Sequence, residues 1–165
     1  MEIRKISILL FITIICLSCK NSNKSSNEFT FGSIKDSGFS FKKMKIVDHA
    51  FNRDTFTDFI VVPGTGLSGA LSFPSFKQID NQSLFIMSKQ FDNLEKAQKY
   101  FDQYKLMEEN ASNFERTASM IQPYQVWIIC TNSFYTGKIL IIGTNTTMSN
   151  GIYNSEVKIK TQLLK

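Results

Sequence analysis

The sequence predicts an α+β domain: a mainly antiparallel sheet of five or six strands with one principal amphipathic helix packed on one face. Three observations carry this reading. Short runs rich in β-branched and aromatic residues follow one another with brief connections, which favours antiparallel neighbours. The segment from Asp92 to Tyr104 repeats its apolar residues at helical spacing. The stretch EVKIKTQLL near the C-terminus alternates, with Val157, Ile159 and Leu163 on one face and Lys158, Lys160 and Gln162 on the other.

Taken in order, FSFKKMKIV reads as one strand with partial alternation, and DFIVV reads as a second, stopped by Pro63-Gly64. GTGLSGALSFPSF is rich in Gly, Ser and Pro and reads as an extended loop, with room for a short edge strand. SLFIMSK is the next strand. Asp92 is placed to cap the helix, Glu95 completes a capping box, and Leu94, Ala97, Phe101 and Tyr104 form its buried face. Glu95 and Lys99 are spaced for an i,i+4 ion pair. The helix is expected to reach Met107 or Glu109, and NASNFERTASMIQP reads either as a loop or as a short second helix stopped by Pro123. YQVWIICT and KILIIGT are apolar enough for central strands, with a turn at Thr136-Gly137, and NTTMSNG is a further turn before the final strand.

The N-terminus has a different character. MEIRKISILLFITIICLSCK places Arg4 and Lys5 before an apolar run from Ile6 to Leu17, then small Ser18 and Cys19. A charged start, an apolar middle and a small residue before a cut describe an export signal. As a helix the run spans ~18 Å, against a hydrocarbon core of about 30 Å, too short to cross. Leu17, Ser18 and Cys19 resemble the last three places of the lipobox of bacterial lipoproteins. The place before them, usually Leu in that family, is Cys16 here, itself preceded by bulky Ile15. The resemblance covers only this leader. It implies removal of residues 1–18 and a diacylglyceryl thioether and acylated amine on Cys19. Residues 19–28 would be the lipidated cysteine and a flexible tether, since KNSNKSSNE has no apolar residue to bury. Residues 29–165 would be a single domain.

The chain has 165 residues, enough for one domain, with 15 Phe to fill a core. Its formal charge of +5 falls to +4 without Met1–Ser18, too mild to argue for nucleic acid. Lys42, Lys43 and Lys45 beside Phe39 and Phe41 read as a solvated strand face suited to anionic lipid, not as an RNA-binding motif. Phe51, Phe56, Phe59, Phe73 and Phe76 read as core. Once the leader is gone and Cys19 is alkylated, Cys130 has no cysteine in the domain to pair with, and within VWIIC it reads as a buried thiol.

Gly64, Gly66 and Gly69 spell G-x-G-x-x-G after a strand, but that phosphate-binding motif must open a helix, and Pro74 follows within a stretch that has no helical face. The loop keeps backbone amides for a small-molecule contact. His49 is the one histidine, with Asp48 before it and Asp54 and Asp58 after it. The spacing matches no zinc or calcium motif, so no metal and no cofactor are expected, and no catalytic residues are assigned. Asp48, His49, Asp54, Asp58, Gly64 and Gly66 are therefore the candidate ligand-contact residues. The function expected is non-enzymatic: an envelope lipoprotein, held to a membrane through Cys19, that binds or scaffolds a protein partner. Rival expectations are an inhibitor or immunity-type lipoprotein and an envelope hydrolase or carbohydrate-active enzyme.

Overall fold

Among the described residues antiparallel strands and one helix are both present, but the strands dominate and divide into two sheets instead of one. The computed structural model describes residues 27–33, 37–48, 57–65, 71–79, 83–105, 114–132 and 135–164. The elements are β1 (Asn27–Gly32), β2 (Ser37–Ser40), β3 (Lys45–Asp48), β4 (Phe59–Thr65), β5 (Leu71–Gln78), β6 (Ser83–Gln90), α1 (Leu94–Gln103), β7 (Thr117–Ala118), β8 (Gln125–Thr131), β9 (Thr136–Ser149) and β10 (Ile152–Leu163). One sheet runs β1-β10-β9-β8-β6 and the other β3-β2-β4-β5-β7. Among the described residues, no helix is long and apolar enough to cross a membrane.

Local chemistry explains where the expected strands were redrawn. The FSFKKMKIV run folds back on itself. Phe41 to Met44 make a turn, Met44 takes a positive φ of 48°, and its N–H donates to the Phe41 carbonyl at 3.3 Å. The Gly-, Ser- and Pro-rich stretch is no loop along β5, which pairs with β4 from Phe59↔Gln78 to Thr65↔Leu71. The ladder shifts register between Val62 and Gly64, so Pro63 and Pro74 fall at an irregularity where a missing N–H costs little. Thr136 and Gly137 belong to β9, and the expected NTTMSNG turn shrinks to Asn150 and Gly151, with φ of 52° and 76°. Paired positive φ values make the type I′ turn whose twist matches a hairpin. Asn27 and Glu28, expected in the tether, pair with Thr161 and Lys160 as the start of β1. In the ambiguous NASNFERTASMIQP stretch, the described part forms strand pairings and no helix. Glu115 exchanges two hydrogen bonds of 2.7 Å with Phe85 of the first sheet, and Thr117 and Ala118 then join β5 of the second. This segment laces one side of the two sheets together.

Inward-facing phenylalanines fill the space between the sheets. Phe39, Phe59 and Phe76 come from one sheet and Phe85 from the other, and all four are fully buried. Phe59 is the hub: its ring lies 4.8 Å from Phe76, 5.7 Å from Phe39, 5.8 Å from Phe85, 6.0 Å from Phe31 and 6.4 Å from Phe41. Each such pair adds about 0.5–1.5 kcal/mol beyond the area it buries. Ile129, Ile139, Ile141, Val157 and Ile159 complete the core from β8, β9 and β10. Gly137 has a packing reason: a Cβ there would stand 2.1 Å from the Phe41 ring. Of the five phenylalanines expected in the core, Phe59 and Phe76 are there, Phe51 and Phe56 lie outside the described residues, and Phe73 is exposed because β5 alternation turns it outward. Cys130 is half-buried rather than buried, its Sγ 3.9 Å from Thr136 Oγ1.

The helix covers the opposite face of the first sheet. Ala97 and Phe101 pack on Val126 and Leu140, with Phe91, Tyr100, Tyr124 and Ile142 at the margin. The cap is Asn93, not Asp92: its side chain accepts from the Lys96 N–H at 3.0 Å. Asp92 instead pairs with Lys96 at 3.2 Å, an exposed contact worth little. Leu94, expected inside, is 39% exposed. The helix stops at Gln103, short of the expected end, because Tyr104 turns extended with ψ of 123°.

Its C-terminus carries no basic residue of its own in the last turn. The sheet supplies one. Lys138, the third residue of β9 and 1% exposed, donates from Nζ to the carbonyls of Phe101 and, at 3.1 Å, Tyr104, and sits 4.6 Å from the Phe101 ring centroid. A cation here meets carbonyls that the helix end leaves unpaired and the negative pole of its dipole. Lys160 adds a second cation 5.5 Å from the same ring and 3.4 Å from Asp102. Lys138→Met keeps the stem and removes the donors, stranding two buried carbonyls at about 1–3 kcal/mol. Denaturant titration is expected to show that loss, and hydrogen exchange should show the globally exchanging amides of β4 losing protection by the same amount, with the C-terminal turn of α1 opening locally besides.

Candidate functional site

The sequence-derived candidates do not assemble into one place among the described residues. Asp48 ends β3 and is exposed. Asp58 and Gly64 stand at opposite ends of β4, roughly 20 Å apart at ~3.3 Å per residue. His49, Asp54 and Gly66 lie outside the described residues. The strand that carries Gly64 pairs with β5, which begins at Leu71, so among the described residues a strand stands on either side of the glycine motif.

Asp58 has a defined setting. It is 4% exposed, its Oδ2 accepts from the Phe41 N–H at 2.6 Å, and its own N–H donates to the Phe39 carbonyl at 2.8 Å. It thus ties the β2–β3 turn to the start of β4. Burial pushes its carboxyl up to about 6, partly opposed by the Phe41 hydrogen bond, which favours the charged form.

A cleft of about 310 Å³ opens elsewhere, where β1 and β10 of one sheet meet β2 and β3 of the other. Phe31 and Ile46 give it an apolar floor, and Thr30, Ser37, Ser155 and Glu156 a polar rim. The rim is held by short bonds. Ser33 Oγ accepts from the Ser155 N–H at 2.9 Å, Ser37 Oγ donates to the Gly32 carbonyl at 3.1 Å, and Thr146 and Ser155 share a hydroxyl contact at 2.8 Å. Gly32 is required by close approach, since a Cβ would fall 2.3 Å from the Ser155 carbonyl oxygen. The volume sits at the small end of the range for ligand sites, ~300–1,000 Å³. Among the described residues its lining offers hydroxyls and one carboxylate, Glu156, with neither thiol nor imidazole. Such a surface can orient a small molecule that has an apolar body and hydrogen-bond donors. Among the described residues it has no nucleophile paired with a base. Sequence reading passed over this cleft because its residues come from four strands and no local pattern marks them.

Among the described residues, no group of three or more His, Cys, Asp or Glu side chains could hold a metal ion.

No family model, curated protein or solved structure matches the chain.

The Asp58 setting makes a pH prediction with a definite sign. A carboxyl whose folded value is raised from 3.8 to about 6 binds its proton more tightly in the folded chain than in the unfolded one. Its contribution to stability is constant below about pH 4, falls as pH rises through 6, and levels off above that at a cost on the order of 3 kcal/mol. Asp58→Asn keeps an acceptor for the Phe41 N–H and cannot ionise. Stability measured by denaturant titration from pH 4 to 7.5 should therefore fall more steeply in the parent than in the variant. A constant difference between them across that window would exclude the assigned cause.

Proposed function

We propose that this chain is a cell-envelope lipoprotein, fixed to a membrane by lipid on Cys19, whose folded domain binds or scaffolds another envelope component. The observation that carries the proposal is the leader, with Arg4 and Lys5, the apolar run to Leu17, and Ser18 before Cys19. One acyl chain gives only marginal binding at ~0.8 kcal/mol per buried methylene, whereas two or more hold a protein durably.

The geometry of the domain supports this reading. The segment after Cys19 enters the fold at Asn27, which pairs with Thr161 at one end of β10. The β9–β10 tip lies at the other end of that strand, roughly 30 Å away at ~3.3 Å per residue. Entry at Asn27 thus keeps the hairpin tip well away from the attached end. The cleft lining supports binding over catalysis, because its groups are suited to hydrogen bonding and not to nucleophilic attack. The domain is a partner-holding module in which β-sheet edges and the cleft are the available surfaces.

Growth with labelled palmitate tests the anchor. The parent chain should take up label and sediment with membranes, while Cys19→Ala should take up none and leave the membrane fraction. Label that persists in Cys19→Ala, or a parent chain found unlabelled in the cytosol, would overturn the proposal.

A further inference from the structure

The β9–β10 hairpin outruns its sheet. β8 pairs with β9 only from Thr136 to Leu140, and the last contact on that side is the Tyr124 N–H donating to the Ile141 carbonyl at 2.8 Å. From Gly143 to Ser149, no described strand lies beside β9 on the side away from β10. The register says which backbone groups face that open side. Ser149 and Ile152 flank a two-residue turn, so they form a hydrogen-bonded pair, and pairs alternate from there. The Ser155 N–H agrees, since it donates away from β9 to Ser33 Oγ. Thr144, Thr146 and Met148, opposite Val157, Ser155 and Tyr153, therefore direct their N–H and C=O groups outward.

An open edge of this length is a template for another strand, and proteins usually blunt such edges with lysine, proline or a bulge. Here none of these stands between Gly143 and Ser149, and no residue from Ile139 to Ser155 is charged. Met148 and Ile152 near the tip are 58% and 64% exposed.

We infer that β9 pairs edge to edge with β9 of a second copy, antiparallel about a two-fold axis at Thr146. In that register Thr146 faces Thr146 and Thr144 faces Met148, each pair with outward donors and acceptors on both strands. About six main-chain hydrogen bonds form, two for each hydrogen-bonded pair. The arrangement is isologous, as a two-fold requires, and its neutrality means that no like charges meet when the edge faces itself. The two hairpins become one four-stranded ribbon. The axis reverses β9, so the two Asn27 ends leave in opposite directions, and a tethered pair lies with its strands along the bilayer. The pairing itself does not depend on the lipid anchor.

Disulfide trapping and sedimentation of the full chain in non-ionic detergent test this, in a Cys130→Ser background for the trapping. Thr146→Cys sets two thiols across the axis at a Cα separation of ~5.5 Å, within disulfide range. Mild oxidation should give a covalent dimer with Thr146→Cys and none with Glu95→Cys on the exposed helix face. Thr146→Pro removes an outward N–H without touching the β9–β10 ladder, so the fold should persist and the chain should sediment as a monomer. Asn145 and Thr147 face each other across the axis and are exposed. Asn145→Lys with Thr147→Lys should dissociate the pair, and Asn145→Lys with Thr147→Glu should restore it. A parent chain that is monomeric throughout the micromolar range overturns the inference. So does a dimer indifferent to Thr146→Pro, or a Thr146→Cys chain that crosslinks in envelopes to a different polypeptide instead of to itself.

Discussion

The fold depends on the Phe59 ring. β4 runs through the centre of its sheet, and at its start Phe59 touches aromatic neighbours from β1, β2, the β2–β3 turn, β5 and β6. Two of those neighbours, Phe31 and Phe85, belong to the opposite sheet. Each sheet turns phenylalanine and other apolar side chains toward the other, and burying a phenylalanine is worth about 1.5–3 kcal/mol. The rings are therefore what makes two half-buried sheets into one cooperative body.

The first sheet is covered on both faces, and its two coverings are held differently. Against the second sheet the contacts are mainly apolar and non-directional, with the Ser37 hydroxyl to the Gly32 carbonyl and the Glu115–Phe85 pair as directional bonds at the margins. Against the helix they are apolar at Ala97 and Phe101 but directional at the end, where Lys138 reaches the carbonyls of Phe101 and Tyr104. The tip of the hairpin and the cleft are by-products of the same register. β10 continues past the end of β1 at Gly32, and β9 continues past β8, so backbone and hydroxyl groups are left at the edges. The candidate binding features are thus found where sheets of unequal strand length cease to overlap.

Much of this was legible from side-chain periodicity. The β10 alternation places Val157 and Ile159 inside and Lys158 outside, as read. The helix, its Ala97 and Phe101 face, and the apolar β8 and β9 were also readable. What was not legible has physical reasons. A single sheet and two sheets have the same alternation, so partition into layers leaves no local mark. Pro74 and its glycine-rich neighbours argue against a strand locally, yet a ladder irregularity accommodates them. Lys138 sits in an apolar run and looks like a strand-end charge, because its partners lie on a helix far away in sequence. Asn93 takes the cap beside an equally suitable Asp92, a difference set by where the chain leaves β6. The candidate contacts drawn from polar residues in connections gave Asp58, which holds a turn, whereas the cleft comes from strand residues with no shared motif.

The most direct test of the account is native-state hydrogen exchange on Phe59→Leu, a change that removes ring contacts and keeps an apolar side chain. If the rings unite the sheets, amides in the core strands β4, β9 and β10 lose protection by the same free energy, since all open only through global unfolding. A loss confined to β2, β4 and β5, with β9 and β10 unchanged, would contradict it and make the sheets separate stability units.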